Sequence, residues 1–173
     1  TPLYSSAASD VYKRQIENKI VTLTNSFTEM YNLKNDKVGT KFSANISPAE
    51  YKKTYIDALS SYQNGEFEKA ITGFAGLVIG DPMNDLADNS QYWLAECYYT
   101  MKNYKRAVIE FEKVFTFPGT DKDDDAQLKL GHCHRSMGNT DKALEEYQRL
   151  IDYFPGSEFF GKARESIKQI KIR

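Results

Sequence analysis

The sequence has few of the features that mark membrane-spanning or nucleic-acid-binding chains. None of its apolar runs approaches the roughly 20 residues that a transmembrane helix needs. Its 173 residues carry a formal net charge of −1, and no basic stripe is visible that could neutralise nucleic-acid phosphates. We therefore expect no membrane span and no nucleic-acid partner. Basic residues gather only near the C-terminus, where cations complement a helix dipole: Lys162, Arg164, Lys168, Lys171 and Arg173.

Catalytic and metal-binding motifs are also scarce. No glycine-rich phosphate loop or serine-nucleophile motif occurs. In His132-Cys133-His134 the two histidines point about 200° apart on a helix, so they cannot bind one metal ion. The stretch 121–125 begins like a calcium loop, but Ala126 stands where the turn needs glycine, and carboxylates also favour a helix N-terminus. We therefore predict no enzyme activity, no catalytic residue, no cofactor and no metal.

The sequence does contain one pattern that occurs three times, at spacings of 37 and 36 residues. Each unit has a small residue, an aromatic residue four positions later and a closing proline. Helical spacing puts the small and the aromatic residue on one face, where a neighbouring helix can pack. The repetition predicts an all-α solenoid. The small residues are Ala70, Ala107 and Ala143, the aromatic residues are Phe74, Phe111 and Tyr147, and the prolines are Pro82, Pro118 and Pro155.

This pattern resembles the tetratricopeptide repeat, whose earlier small residue is matched by Ala58, Ala95 and Gly131. The first helix opens at Ser47-Pro48-Ala49-Glu50, which combines a hydroxyl cap, a proline at the first helical position and a glutamate that can reach back to the cap. We predict three helix pairs and a capping helix: Pro48–Gln63, Glu66–Ile79, Leu86–Met101, Tyr104–Phe115, Asp123–Met137, Thr140–Tyr153 and Ser157–Ile170.

The first 46 residues are expected to lie outside the repeat domain, which we place at residues 47–173. Thr1 to Gln15 looks like a translated sequencing adaptor fused to a truncated gene, and the alternative is a disordered native tail. Lys34 to Ile46 has the composition of a linker.

Between them, Ile16 to Leu33 has apolar residues at spacings of 4, 3, 4 and 3, which is typical of a coiled coil. We predict a coiled-coil remnant, and the alternative is an amphipathic helix that packs back on the repeats. About two heptads are too short to form a stable coiled coil alone. We therefore expect this fragment to be monomeric and the native protein to be a coiled-coil oligomer.

Part of the repeat region is similar to one bacterial family in particular. Leu86 to Tyr99 resembles the second repeat of the YbgF/CpoB proteins of the Tol-Pal system, and Tyr62 to Ile71 and Phe154 to Ser157 resemble the flanking stretches. This resemblance implies a periplasmic adaptor with a trimeric coiled coil. It also implies that the repeats bind a partner such as TolA and coordinate envelope constriction with peptidoglycan synthesis in cell division.

The chain departs from that family in two places. Cys97 and Cys133 stand at equivalent positions of successive repeats, where the family more often has alanine. Equivalent positions lie about 8 to 10 Å apart, whereas a disulfide tolerates about 7 Å between α-carbons. We therefore interpret both as small buried residues rather than as a bridge. Phe115 to Thr120 is the second departure, and the sequence offers no functional explanation for it.

We predict that a protein or peptide partner binds the concave groove, which in this repeat family is lined by the first helix of each pair. Tyrosine side chains offer a large apolar contact area and a hydrogen-bonding group, which suits a peptide ligand. The alternative for Tyr55 and Tyr92 is packing between repeats, and Trp93 and Tyr98 are expected in the core. The predicted groove residues are Tyr55, Leu59, Tyr62, Asn89, Tyr92, Glu96, Tyr99, Leu128, His132 and Arg135.

Three functional hypotheses follow from the sequence. The first is an adaptor of the Tol-Pal type. The second, which is the alternative to it, is a general repeat scaffold in an outer-membrane assembly complex. The third is an enzyme that uses Cys133 and His134, which would lose activity on mild thiol alkylation.

Overall fold

The computed structural model describes residues 46–117 and 120–172, which form seven α-helices joined by short turns. They are α1 (Pro48–Gln63), α2 (Phe67–Gly80), α3 (Ala87–Thr100), α4 (Tyr104–Val114), α5 (Asp123–Ser136), α6 (Thr140–Tyr153) and α7 (Phe160–Lys171). All seven predicted helices are confirmed, and each begins within three residues of its predicted start. The predictions for the adaptor-like stretch, the coiled-coil remnant and the linker up to residue 45 lie outside the described residues.

The helix ends follow from local backbone chemistry. The Ser47 hydroxyl accepts a hydrogen bond from the Glu50 backbone N–H at 3.2 Å and caps α1. The turn inside each helix pair places one residue in the left-handed region: Gly65 (φ 78°), Lys102 (φ 60°) and Gly138 (φ 77°). Glycine adopts this conformation freely, whereas a side chain at the same φ is strained. The middle repeat therefore makes the same turn as its neighbours with a less suitable residue.

Each helix packs against the next, and α1 also contacts α3, which is the arrangement of a tetratricopeptide-like solenoid. The core falls into three clusters, each of which joins one pair to the next helix. Alanines at the contacts let the helix backbones approach closely, and the aromatic residues fill the space between them. The clusters centre on Ala58, Ala70, Phe74 and Cys97; on Ala95, Ala107, Phe111 and Cys133; and on Leu128, Ala143, Tyr147 and Ala163.

The two helices of the third pair make a close contact at Gly131. A β-carbon added at Gly131 would lie 2.3 Å from a ring carbon of Tyr147, which is fully buried. The first two pairs carry alanine at the position of Gly131 and phenylalanine at that of Tyr147. The extra hydroxyl of Tyr147 lies in the core beside Ser166 and Arg135. Its ring therefore occupies the space that an alanine side chain would need.

A buried polar contact occurs in both the second and third pairs. The Gln91 side-chain amide donates to the backbone carbonyl and to the carboxylate of Glu110, both at 2.9 Å. Gln127 makes the same two bonds to Glu146, at 3.0 and 2.6 Å. We call each of these contacts a glutamine–glutamate clasp. A clasp ties the first helix of a pair to the second and gives the buried carboxylate hydrogen-bond donors.

A basic residue three positions further on completes each clasp. Lys113 lies 2.9 Å from the Glu110 carboxylate, and Arg149 lies 3.0 Å from that of Glu146. The first pair has no clasp, because Thr54 and Gly73 occupy the equivalent positions. Gly73 instead allows α2 to approach α1, since a β-carbon there would lie 2.8 Å from that of Ala58.

Candidate protein-binding surfaces

The predicted groove residues differ widely in their exposure. Tyr92, Glu96 and Leu128 are only 9%, 7% and 5% exposed, so they belong to the packed interior of the solenoid. For Tyr92, this is the packing between repeats that the sequence left open as an alternative. Fewer residues are therefore accessible in the groove than the sequence predicted. Its half-buried members are Tyr55, Leu59, Tyr62, Asn89, Tyr99 and His132, and Arg135 is exposed.

Aromatic rings form a continuous row along the first helices of the first two pairs. Trp93 lies between Tyr62 and Tyr92, with ring centroids 5.1 and 5.9 Å away in edge-to-face geometry. The Tyr62 hydroxyl also lies 3.0 Å from that of Thr100, so its ring is held between α1 and α3. Tyr55 packs on Phe74 at 5.8 Å. Such fixed rings present a rigid surface, so these side chains lose little conformational entropy when a peptide binds.

Trp93 and Tyr98, which the sequence placed in the core, are both half-buried. Each packs against the first two core clusters, so each contributes to the core while one side remains accessible. Tyr98 points about 100° away from Tyr99 around the axis of α3, because the two residues are adjacent in this helix.

An ion pair joins the same faces of α3 and α5. The Lys129 ammonium lies 2.8 Å from the Glu96 carboxylate and 5.0 Å from the centre of the Tyr99 ring. Burial raises the pKa of Glu96, and Lys129 opposes that rise. The lysine therefore compensates a buried charge and fixes the Tyr99 ring by a cation–π contact.

His132 is held neutral at physiological pH. Burial, together with the nearby charges of Lys129, Arg135 and Lys162, lowers the pKa of its imidazole to about 4. Its ring packs edge-to-face on Tyr147 at 5.7 Å. The histidine therefore adds no charge to this face at neutral pH.

The two cysteines lie in an environment that suppresses thiol chemistry. Cys97 and Cys133 are free and fully buried, and burial raises the pKa of each thiol to about 12. A nucleophilic cysteine needs the thiolate form, which this environment disfavours. In the described ranges 46–117 and 120–172, no group of three or more metal-ligating side chains comes together.

A second surface, which the sequence did not reveal, lies on the opposite side of the solenoid. It is a cleft of about 390 Å³ between α2 and α4, and α3 forms its floor. We call it the α2–α4 cleft. The only sequence signal was the unexplained Phe115–Thr120 stretch, since Thr116 and Phe117 line its edge. Its main lining residues are Ala75, Val78, Ile79, Pro82, Met83, Leu94, Tyr98 and Phe117.

Residues 48–173 match the model of the YfiO family, which is described as outer membrane lipoprotein. The chain belongs to this family. The match spans all seven described helices, so the family assignment covers the whole repeat region. The family that the sequence resemblance indicated was YbgF/CpoB, and the family shown is YfiO instead. The two share the tetratricopeptide-like repeat, and the expected non-enzymatic character agrees with a family of scaffold proteins.

Solved structures show the same fold at low sequence identity. The Yersinia enterocolitica type III secretion chaperone SycD, in complex with a peptide of the translocator YopD, is 18% identical, with a TM-score of 0.64 over 74% of this chain and 97% of that chain. The first tetratricopeptide domain of Spaghetti (RPAP3), bound to an HSP90 peptide, is 14% identical, with a TM-score of 0.57 over 73% of this chain and 94% of that one.

The tetratricopeptide domain of Arabidopsis OM64 is also similar, at 13% identity and a TM-score of 0.59 over 72% of this chain and 96% of that chain. No curated protein sequence matches this YfiO-family chain. Among the helices that the structure describes, none is both long enough and apolar enough to cross a bilayer.

Proposed function

We propose that this YfiO-family domain is a protein-binding scaffold of an outer-membrane assembly complex and that it faces the periplasm. The family match over residues 48–173 is the observation that carries the proposal. The first-helix face supports it, because fixed aromatic rings and a buried ion pair form a rigid surface of mixed apolar and charged character.

Two tyrosines are the proposed anchors for a ligand on this face. Tyr62 and Tyr99 are half-buried, occupy equivalent positions on α1 and α3 and are each fixed by a neighbour. Structural relatives are recorded with peptides, SycD with a segment of YopD and RPAP3 with one of HSP90. For this chain we propose an extended or helical peptide segment of another envelope protein as the ligand.

The Tol-Pal adaptor is the second candidate function, and it rests on the similarity of Leu86 to Tyr99 to YbgF/CpoB repeats. The two candidates predict different partners. Calorimetric titration of the chain with the periplasmic domain of TolA, and separately with the periplasmic domains of outer-membrane assembly proteins from the same organism, distinguishes them. Binding to an assembly protein and not to TolA is the result that we expect.

The binding face is tested with the partner identified in that titration. Tyr62→Ala and Tyr99→Ala should each weaken binding by about 1 to 2 kcal/mol, because aromatic anchors dominate such interfaces. Tyr153→Ala removes a half-buried tyrosine from α6 and serves as the matched control. Tyr92→Ala is less suitable, since Tyr92 is part of the core. Unchanged affinity in both groove variants, with helicity intact, would exclude this face.

A further inference from the structure

The two tyrosine anchors, Tyr62 and Tyr99, have a charged residue at the next equivalent position. Tyr62, Tyr99 and Arg135 follow one another at the repeat spacings of 37 and 36 residues, on α1, α3 and α5. Equivalent positions of stacked repeats lie side by side on the same face of a solenoid. Along the first-helix face, two aromatic anchors are therefore followed by a guanidinium group.

A second cation reaches the same place from α7. The Arg135 guanidinium donates to the side-chain oxygen of Gln169 at 3.3 Å, so α5 and α7 meet at this face. Lys162, also on α7, has its ammonium 4.8 Å from the centre of the Phe159 ring. Burial and nearby cations, Arg135 and Lys162 among them, lower the pKa of His132, so both charges converge on one imidazole. We call Arg135, Lys162 and His132 the α5–α7 patch.

Within the described part of the chain, the two exposed cations of the α5–α7 patch form no ion pair. The groups that contact Arg135 and Lys162 are uncharged: an amide, a tyrosine hydroxyl and a phenylalanine ring. By contrast, Lys129 on the same face lies 2.8 Å from the carboxylate of Glu96. An exposed guanidinium suits a carboxylate ligand, because it can donate two parallel hydrogen bonds to it.

The carboxylates near the patch leave it with a positive balance. Asp125 lies ten residues before Arg135 on α5, which is about 15 Å along a helix, whereas physiological salt screens charges beyond about 8 Å. The pKa of Asp125 is raised by burial and also by the charge of Glu158, so Glu158 belongs to that distant end. Glu165 accepts a hydrogen bond from the Gln169 amide at 3.3 Å, and it is one carboxylate beside two cations.

We propose that the α5–α7 patch binds an acidic side chain of the same partner segment whose apolar residues pack on Tyr62 and Tyr99. This inference rests on the proposed function, because it assigns the chemistry of the ligand for that face. Packed helices lie about 8 to 10 Å apart, which corresponds to about three residues of an extended chain. The segment therefore carries two apolar residues and then an aspartate or glutamate, at intervals of about three residues.

The same patch rejects segments of the opposite charge. A lysine or arginine at the third position of the partner segment would place like charges beside Arg135 and Lys162. The aromatic anchors accept many apolar residues, since their contact is not directional. The patch is therefore the part of the face that selects one partner segment over another.

Peptide display on the full chain tests this proposal. A library of random peptides of about twelve residues, long enough to cross three repeats, is selected on the parent and then on Tyr62→Ala/Tyr99→Ala. We expect the parent to enrich peptides that have an aspartate or glutamate about three residues from an apolar residue. The double tyrosine variant should fail to retain them, because it lacks both anchors.

The most enriched peptide is then titrated into charge variants by fluorescence anisotropy. Arg135→Gln/Lys162→Gln should weaken its binding at least about tenfold, because two charge-assisted contacts are lost. Lys105→Gln/Lys142→Gln is the matched control, since it removes the same charge from exposed lysines on α4 and α6, and it should change affinity by less than about twofold. Lys162→Gln alone keeps the Arg135 contacts with the core and should still weaken binding about threefold.

The outcomes separate this proposal from the one on which it rests. Peptides that need Tyr62 and Tyr99 but show no acidic preference overturn the role of the patch and leave the tyrosine face as the binding site. Affinity that is unchanged in both Lys162→Gln and Arg135→Gln/Lys162→Gln, or lowered equally by the control, has the same meaning. Failure to enrich any peptide that depends on the two tyrosines contradicts the binding face itself.

Discussion

Gly131 and Tyr147 form a matched pair of residues in the third repeat. In the first two repeats an alanine and a phenylalanine occupy the same two positions. In the third, the Tyr147 hydroxyl lies beside Ser166 and Arg135, and the ring reaches into the space of a missing methyl group. The ring of Tyr147, and not a special backbone conformation, therefore requires glycine at position 131.

We expect Gly131→Ala to lower the free energy of unfolding by about 1 to 3 kcal/mol, because a buried ring must move to admit the methyl group. Urea denaturation measures the change. Gly161→Ala is the control, since an added β-carbon there meets nothing within 4 Å and alanine favours a helix. The double variant Gly131→Ala/Tyr147→Phe should regain part of the loss. Equal stability of Gly131→Ala and the parent would refute this explanation.

His132 makes stability depend on pH in a known direction. Its pKa is lowered from 6.5 to about 4 in the folded chain, so the unfolded chain takes up a proton in this range while the folded chain does not. The stability that the folded chain gains by keeping His132 neutral is fully present above about pH 6.5 and is lost as the pH falls toward 4. Other groups titrate in the same window, so only a comparison with a variant isolates it.

We expect the parent to lose about 1 to 2 kcal/mol more stability than His132→Gln between pH 7 and pH 4.5. The full shift would give more, but the ring is partly open to solvent. Denaturation curves of both proteins at the two pH values provide the comparison. Parallel losses would mean that His132 titrates normally in the folded chain.

At the scale of helices, the two glutamine–glutamate clasps hold α3 to α4 and α5 to α6. Gln127→Leu removes two buried hydrogen bonds from Glu146 and should cost about 1 to 3 kcal/mol of stability. Gln148→Leu is the control, because Gln148 bonds Asp152 only at the surface, and it should change stability by less than about 0.5 kcal/mol. Thermal denaturation of both variants measures this, and similar midpoints would argue against the clasp.

The helices themselves could be predicted because their ends carry local chemistry. Ser47 caps α1 through its own hydroxyl, and Gly65 and Gly138 supply the left-handed turns. The clasps could have been predicted in part, since a glutamine and a glutamate recur at 36-residue spacing. The spacing alone does not show that these polar residues are buried and in contact.

The binding surfaces were harder to predict. The helical period placed Tyr62 and Tyr92 on one face, but it could not show that Tyr92 is closed off between Trp93 and Phe111. The α2–α4 cleft depends on how far apart two helices lie in the folded chain. That distance follows from the packing of α3 beneath them, which no local pattern encodes.

At the scale of the whole molecule, stability should vary along the solenoid. Among the described helices, those from α3 to α6 have neighbours on both sides and both clasps, whereas the α1–α2 pair contacts described helices on one side and has no clasp. Native-state hydrogen exchange should give opening free energies about 1 to 3 kcal/mol lower in α1 and α2 than in α3 to α6. Uniform protection throughout the described helices would show that the solenoid opens as one unit.

The two buried cysteines have a consequence for the life of the protein in an oxidising compartment such as the one proposed here. Cys97 and Cys133 cannot be oxidised while they lie in the core, because reagents cannot reach them and their thiols stay protonated. Once the chain unfolds, both become ordinary thiols that can cross-link wrongly. The folded solenoid thus protects both thiols from oxidants, and every unfolding event carries a risk of wrong disulfide formation that alanine at these positions would avoid.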